Sequence, residues 1–133
     1  MKKIKDSISK VVLAAAIPVL LGTTMVFAGT SYSNYNTTVG KFNGSGYTGY
    51  QTKSTGGANA NLFSNFVGGG YAVDVRMQSS NGTGGEWTRQ IKTGYYPVDG
   101  HVNHRVGNSV RLQFSNNFYT PVAVQVSGSW RSN

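Results

Sequence analysis

Apolar and polar residues alternate with period two over two stretches near the carboxyl end of the chain. Val110, Leu112 and Phe114 interleave with Ser109, Arg111, Gln113 and Ser115. Val122, Val124, Val126 and Trp130 interleave with Ala123, Gln125, Ser127 and Ser129, with Gly128 interrupting the apolar face. Period two marks a β-strand with one buried face. Asn116-Asn117 between the stretches tolerates a left-handed backbone, so the pair reads as a hairpin. A two-residue loop would set Arg111 opposite Val122 and mix the faces. A three-residue loop, Asn116 to Phe118, sets Leu112 opposite Val122 and Val110 opposite Val124, and burial of one face selects it. Leu112, Phe114, Val124, Val126 and Trp130 are the expected core.

A second hairpin is expected upstream. Tyr71, Val73, Val75 and Met77 alternate with Ala72, Asp74 and Arg76. After the Gly-, Ser- and Asn-rich loop Gln78 to Gly85 comes Glu86 to Lys92, with Trp87 and Ile91 placed on one face. Tyr95 to Val98 reads as a short edge strand, ended by Pro97 or by Asp99-Gly100. Between Gly29 and Gly70 the pattern is weaker. Val39 to Phe42 and Tyr47 to Thr52 each fit a short strand, Ser54 to Ala60 a loop, and Leu62 to Val67 a strand or a helical turn. Gly68-Gly69-Gly70 reads as a joint or bulge. No helix of ordinary length and no fixed-period repeat is visible after residue 28. The expected fold is all-β: a small antiparallel β-sandwich of about six to eight strands, with a small β-barrel as the alternative.

The amino end follows a different pattern. Lys2, Lys3, Lys5 and Lys10 precede the apolar run Val11 to Leu21, and Val26-Phe27-Ala28 places slender residues at the first and third positions of a signal-peptidase site. Pro18 and Gly22 interrupt a run already shorter than the roughly 20 residues of a membrane span. Residues 1–28 therefore read as a cleaved signal peptide and 29–133 as a single extracellular domain. That domain retains eight cations and three acids, a net charge of +5, with all eight tyrosines, both tryptophans and all but one of the 18 glycines. Its size allows one modest core. The chain has no cysteine, which excludes disulfides, thiolate catalysis and thiolate metal sites.

Charge and aromatic content turn attention to anionic partners. Arg76, Arg89 and Arg111 fall on or beside the polar faces of the expected strands, near Tyr and Trp, and are the candidate anion-binding residues. Outside a cell such a site would meet lipid head groups, teichoic acid or wall precursors; nothing nominates a specific nucleic acid. The other motifs read as structure. Gly44-Ser45-Gly46-Tyr47-Thr48-Gly49 matches a nucleotide-binding string but has no helix after it, and reads as a turn. Asp99, His101 and His104 have the residue types of a metal site, but their setting is that of a solvated loop. Asp74 and Glu86 could face each other across the hairpin as a carboxylate pair. Arg76 and Arg89 on the same strands make surface ion pairing the better account. No catalytic, cofactor-binding or metal-ligating set is nominated, and the chain reads as a non-enzyme.

Val110-Arg111-Leu112, Asn116-Asn117 and Val126-Ser127-Gly128-Ser129-Trp130 resemble the carboxyl end of a largely uncharacterised family of small exported β-rich proteins of Gram-positive bacteria. The resemblance covers the last quarter of the chain and implies export and a β-rich domain. Tyr32-Ser33-Asn34-Tyr35, the size and the glycine and tyrosine content are similar to the lactococcin 972-like bacteriocins. That resemblance implies a compact β-sandwich that attacks cell-wall synthesis. Neither resemblance supplies a residue role. The expected function is a secreted, non-enzymatic binding protein at the bacterial cell envelope, bacteriocin-like. The alternative is a self-associating extracellular matrix protein, and an enzyme of unknown class is third.

Overall fold

The computed structural model describes residues 27–133. The signal-peptide reading lies outside them except for its last two positions. The described residues form an all-β sandwich without an α-helix. Ten strands occur in chain order: β1 (Phe27–Ala28), β2 (Ser33–Val39), β3 (Ser45–Tyr47), β4 (Gln51–Thr52), β5 (Ala60–Val67), β6 (Val73–Ser79), β7 (Thr88–Ile91), β8 (Gly94–Val98), β9 (Ser109–Asn116) and β10 (Val124–Arg131). One sheet has the order β1-β4-β9-β6-β7, with β3 also paired to β9; the other has the order β2-β10-β5-β8. All pairs are antiparallel except β1 with β4. Both sheets are open, so the barrel alternative does not apply.

The core is where the alternation places it, except that Val122, expected opposite Leu112, precedes β10 and is exposed. Val73, Val75, Met77, Val110, Leu112 and Phe114 point inward from one sheet, and Leu62, Val124, Val126 and Trp130 from the other; all are buried. The pairing differs from the expected hairpin. β9 lies between β6 and the short strands β3 and β4, whereas β10 lies between β2 and β5. Residues 117–123 carry the chain from one sheet to the other, so Leu112 and Val124 enter the same core from opposite sheets and are not paired in one ladder. Burial of an apolar face is satisfied equally by a neighbour in the same sheet and by the opposite sheet, and alternation alone does not separate the two.

The β6–β7 hairpin forms, with Val73 opposite Ile91 and Val75 opposite Thr88, but its register shifts between those pairs. Gln90 takes a left-handed backbone there (φ 62°). The irregularity separates the faces of Trp87 and Ile91: Ile91 is buried, while Trp87 lies on the outer surface with the arginines. Residues 40–43 form a turn where a strand over Val39 to Phe42 was expected, and the stretch Tyr47 to Thr52 divides between β3 and β4. β5 resolves the ambiguous Leu62 to Val67 as strand, and Gly68–Gly70 is a short 3-10 turn. β8 is the edge strand expected around Pro97.

One end of the interior is polar. Gln51 on β4 and Lys53 and His104 in flanking loops are each at most 1% exposed. Gln51 Nε2 donates to Ser33 Oγ at 2.7 Å and Trp130 O at 2.9 Å, and its Oε1 accepts from Ser132 N at 2.7 Å. Lys53 Nζ donates to the carbonyls of Ala58 and Ser132, both at 2.7 Å. Burial lowers its pKa to about 8. His104 corrects the reading of its segment as a solvated loop: the ring is fully buried, with Nε2 2.9 Å from Thr83 O and Nδ1 without a partner among the described residues. Loop residues give no periodic sign of burial, which is why this end escapes the sequence pattern.

Candidate functional site

The outer face of the six-stranded sheet gathers the three candidate arginines. Strand alternation turns Asp74, Arg76 and Gln78 of β6 outward, together with Ser109, Arg111, Gln113 and Ser115 of β9. Register then sets Arg76 opposite Gln113 and Gln78 opposite Arg111. The two arginines are thus diagonal neighbours, about 7–8 Å apart at the backbone.

Each arginine lies against an aromatic ring. The Arg111 guanidinium carbon is 3.8 Å from the centre of the Tyr47 ring and 5.0 Å from that of Tyr50. Its Nε and Nη2 donate to Gln78 Oε1 at 3.3 and 3.2 Å. Arg76 lies 4.7 Å from the Trp87 ring centre, and its Nε donates to Gln113 Oε1 at 2.7 Å. Gln113 Nε2 donates in turn to Ser45 Oγ at 3.2 Å, joining β3 to the same network. Gly84 lies directly beneath the Arg76 guanidinium, where any Cβ would collide with it. Arg76 is therefore held between a glycine backbone and an indole face.

Arg89 differs from the other two. Its guanidinium is 5.8 Å from the Trp87 ring centre, its side chain is largely exposed, and it makes an ion pair with Asp74 at 2.7 Å. Asp74 Oδ1 also accepts from Gln90 N at 3.1 Å. The ion-pair reading of Asp74 holds. Arg76 and Arg111, by contrast, have no carboxylate partner among the described residues; their hydrogen-bond acceptors are neutral amide oxygens. Two fixed positive charges with unused N–H groups, backed by Trp87, Tyr47 and Tyr50, can receive an anion with several oxygens.

Two further surfaces were not nominated from sequence. On the outer face of the four-stranded sheet the Tyr32, Phe63 and Tyr95 rings follow one another with centres 5.3 and 5.0 Å apart. Arg131 stacks on Tyr32 at 4.9 Å and donates to Asn61 Oδ1, while Asn61 Nδ2 donates to Tyr95 OH. Phe63 and Tyr95 occupy the outward phase of their strands, a position that register makes visible only once β5 is known to be a strand. The second surface is the pair of loops around Phe42 and Phe118. Among the described residues no group of three or more acidic or histidine side chains converges as a metal site would require. No protein-family model matches the chain, and no curated protein matches it.

Proposed function

We propose that the protein is a secreted, non-enzymatic binding protein that acts at the bacterial cell envelope in a bacteriocin-like manner, with the Arg76–Arg111 face as its receptor for an anionic envelope component. A lipid head group, teichoic acid and a wall precursor share the required chemistry, a phosphate oxyanion beside apolar or sugar surface. The observation that carries this reading is the diagonal Arg76–Arg111 pair, aromatic-backed and without a carboxylate partner among the described residues. Arginine holds anions well and exchanges no protons at ordinary pH, so the arrangement favours binding over turnover.

Capture of the purified protein on cell-wall fragments tests the reading. Capture is expected to weaken sharply from 0.1 to 1 M salt, as the Debye length falls from about 10 to about 3 Å. Arg76→Ala with Arg111→Ala is expected to lower capture about tenfold or more at low salt. Capture that ignores both salt and the double substitution rejects the face as the receptor.

The Tyr32–Phe63–Tyr95 face favours a second reading, self-association as an extracellular matrix protein. Contiguous exposed rings on a sheet bordered by the edge strands β2 and β8 are suited to contact with another copy. Sedimentation separates the readings: a monomer across concentration removes the second.

A further inference from the structure

Four large apolar side chains project at one end of the sandwich: Phe42 (55% exposed), Phe118 (68%), Tyr119 (82%) and Val122 (45%). They come from two loops, residues 40–44 and 117–123, which are clipped together. Phe42 N donates to Thr120 O at 2.8 Å, Asn43 N to Asn117 O at 3.3 Å, and Asn116 N to Gly44 O at 3.0 Å. Beneath them the buried amide of Asn116 donates to the carbonyls of Val39 at the end of β2, Gly40 on the first loop and Val122 on the second. Asn117 Oδ1 accepts from Tyr119 N at 2.7 Å and fixes the turn that carries the rings. The Phe118 and Tyr119 rings meet edge to face with centres 5.4 Å apart. Phe42 holds its place with a left-handed backbone (φ 52°), a conformation that is costly for a bulky residue.

None of these side chains contributes to the core, and together they form a patch of the kind that marks an interaction surface. The charges around them identify the partner. Lys41 Nζ lies 5.8 Å from the Phe42 ring centre, and Lys92 shares a shallow groove with Tyr119. Neither loop contains an acidic residue. Asp74, which lines the same groove, is occupied by Arg89. Apolar rings at a tip, a tyrosine hydroxyl among them, and lysines beside them are the composition of an interfacial membrane anchor facing anionic head groups. We infer that this tip inserts into the surface of an anionic lipid bilayer. The inference uses a different surface from the arginine face and stands or falls separately from it.

Vesicle co-sedimentation is the test, with protein whose amino terminus has been mapped by mass spectrometry. Binding to phosphatidylglycerol vesicles is expected, and binding to phosphatidylcholine vesicles should be weaker. Phe118→Ser with Tyr119→Ser should lower binding to phosphatidylglycerol about tenfold or more, with an unchanged urea midpoint because both residues are exposed. Phe118→Trp should retain binding, and its emission should shift to the blue on vesicles and be quenched by brominated acyl chains. Absence of vesicle binding, indifference to the double serine variant, or a Phe118→Trp emission that ignores lipid would overturn the inference. So would sedimentation showing that the serine variant is monomeric where the unaltered protein is not, since the tip would then be a contact between copies. Arg76→Ala with Arg111→Ala should leave the blue shift intact while wall-fragment capture falls, so failure of either surface is distinguishable from failure of the other.

Discussion

Leu112 and Trp130 lie in a dry interior, whereas Gln51, Lys53 and His104, at one end of the same sandwich, lie in a polar one. All five are at most 1% exposed. In the dry region burial itself stabilises, in proportion to apolar area removed from water. At the polar end burial is neutral at best, and each group depends on what it meets. Among the described residues Gln51 is engaged by three partners, Lys53 meets carbonyls but no carboxylate, and His104 has one ring nitrogen without a partner. Equal burial therefore implies opposite responses to substitution.

The largest expected effect is in the dry region. Leu112→Ala removes a fully buried side chain from the core between the two sheets, and should lower stability by about 2–5 kcal/mol, read from a urea titration. A loss below about 1 kcal/mol would mean that the two sheets do not close over this residue.

The contrast extends to what the sequence disclosed. Inward positions of β6, β9 and β10 follow from period two because one-sided burial imposes it. The partner of each strand does not follow, which is why β9 and β10 read as a hairpin yet belong to opposite sheets. β2 was missed because its seven residues, Ser33–Val39, bury only Tyr35 and Val39. At the arginine face, the outward phase of Arg76 and Arg111 was legible. Their contacts with Tyr47, Tyr50 and Trp87 were not, because β3 reaches β9 from far away in sequence and an irregular β7 turns Trp87 outward. The burial of Lys53 and His104 was not legible, since a polar loop residue is ordinarily solvated.

The polar end should reveal itself through pH. Lys53 has its pKa lowered by burial to about 8 from 10.5. Between those values the unfolded chain binds more protons than the folded one, so stability should rise with pH, by about 3 kcal/mol if Lys53 acts alone. Tyr35 opposes this above pH 10, because burial pushes its phenol up to about 12. Stability measured by urea unfolding should therefore peak near pH 10. Lys53→Met should abolish the rise while leaving the protein at least as stable at pH 7.5. A strongly destabilised Lys53→Met protein would show that the ammonium's bonds to Ala58 and Ser132 outweigh its desolvation.

His104 should produce a smaller change on the acid side. Burial lowers its pKa below 6.5, the bond to Thr83 O raises it, and the nearby His101 and Lys53 lower it further. The unfolded chain then binds the proton more readily, so stability is intact above pH 6.5 and declines as pH falls toward the folded-state value. His104→Gln should reduce that acid slope relative to the unaltered protein. An unchanged slope would place the acid sensitivity elsewhere.

The smallest effect is expected one residue from the largest. Arg111 neighbours Leu112 on β9 but points outward, where it stacks on Tyr47 and bonds to Gln78. Removing it forfeits partly exposed contacts with two rings and a forked pair of long hydrogen bonds to one amide oxygen, and no cavity forms because water can enter the space. Arg111→Ala should therefore cost about 1 kcal/mol or less in a urea titration. The side chain's value would then lie in the free positive charge that it presents beside Arg76, and wall-fragment capture should fall although the fold is nearly as stable as before. A stability loss matching that of Leu112→Ala would make Arg111 a strut between β9 and the β3–β4 segment. That outcome would remove the strongest support for an anion receptor, because the same stacking and hydrogen bonds would be explained by the fold alone.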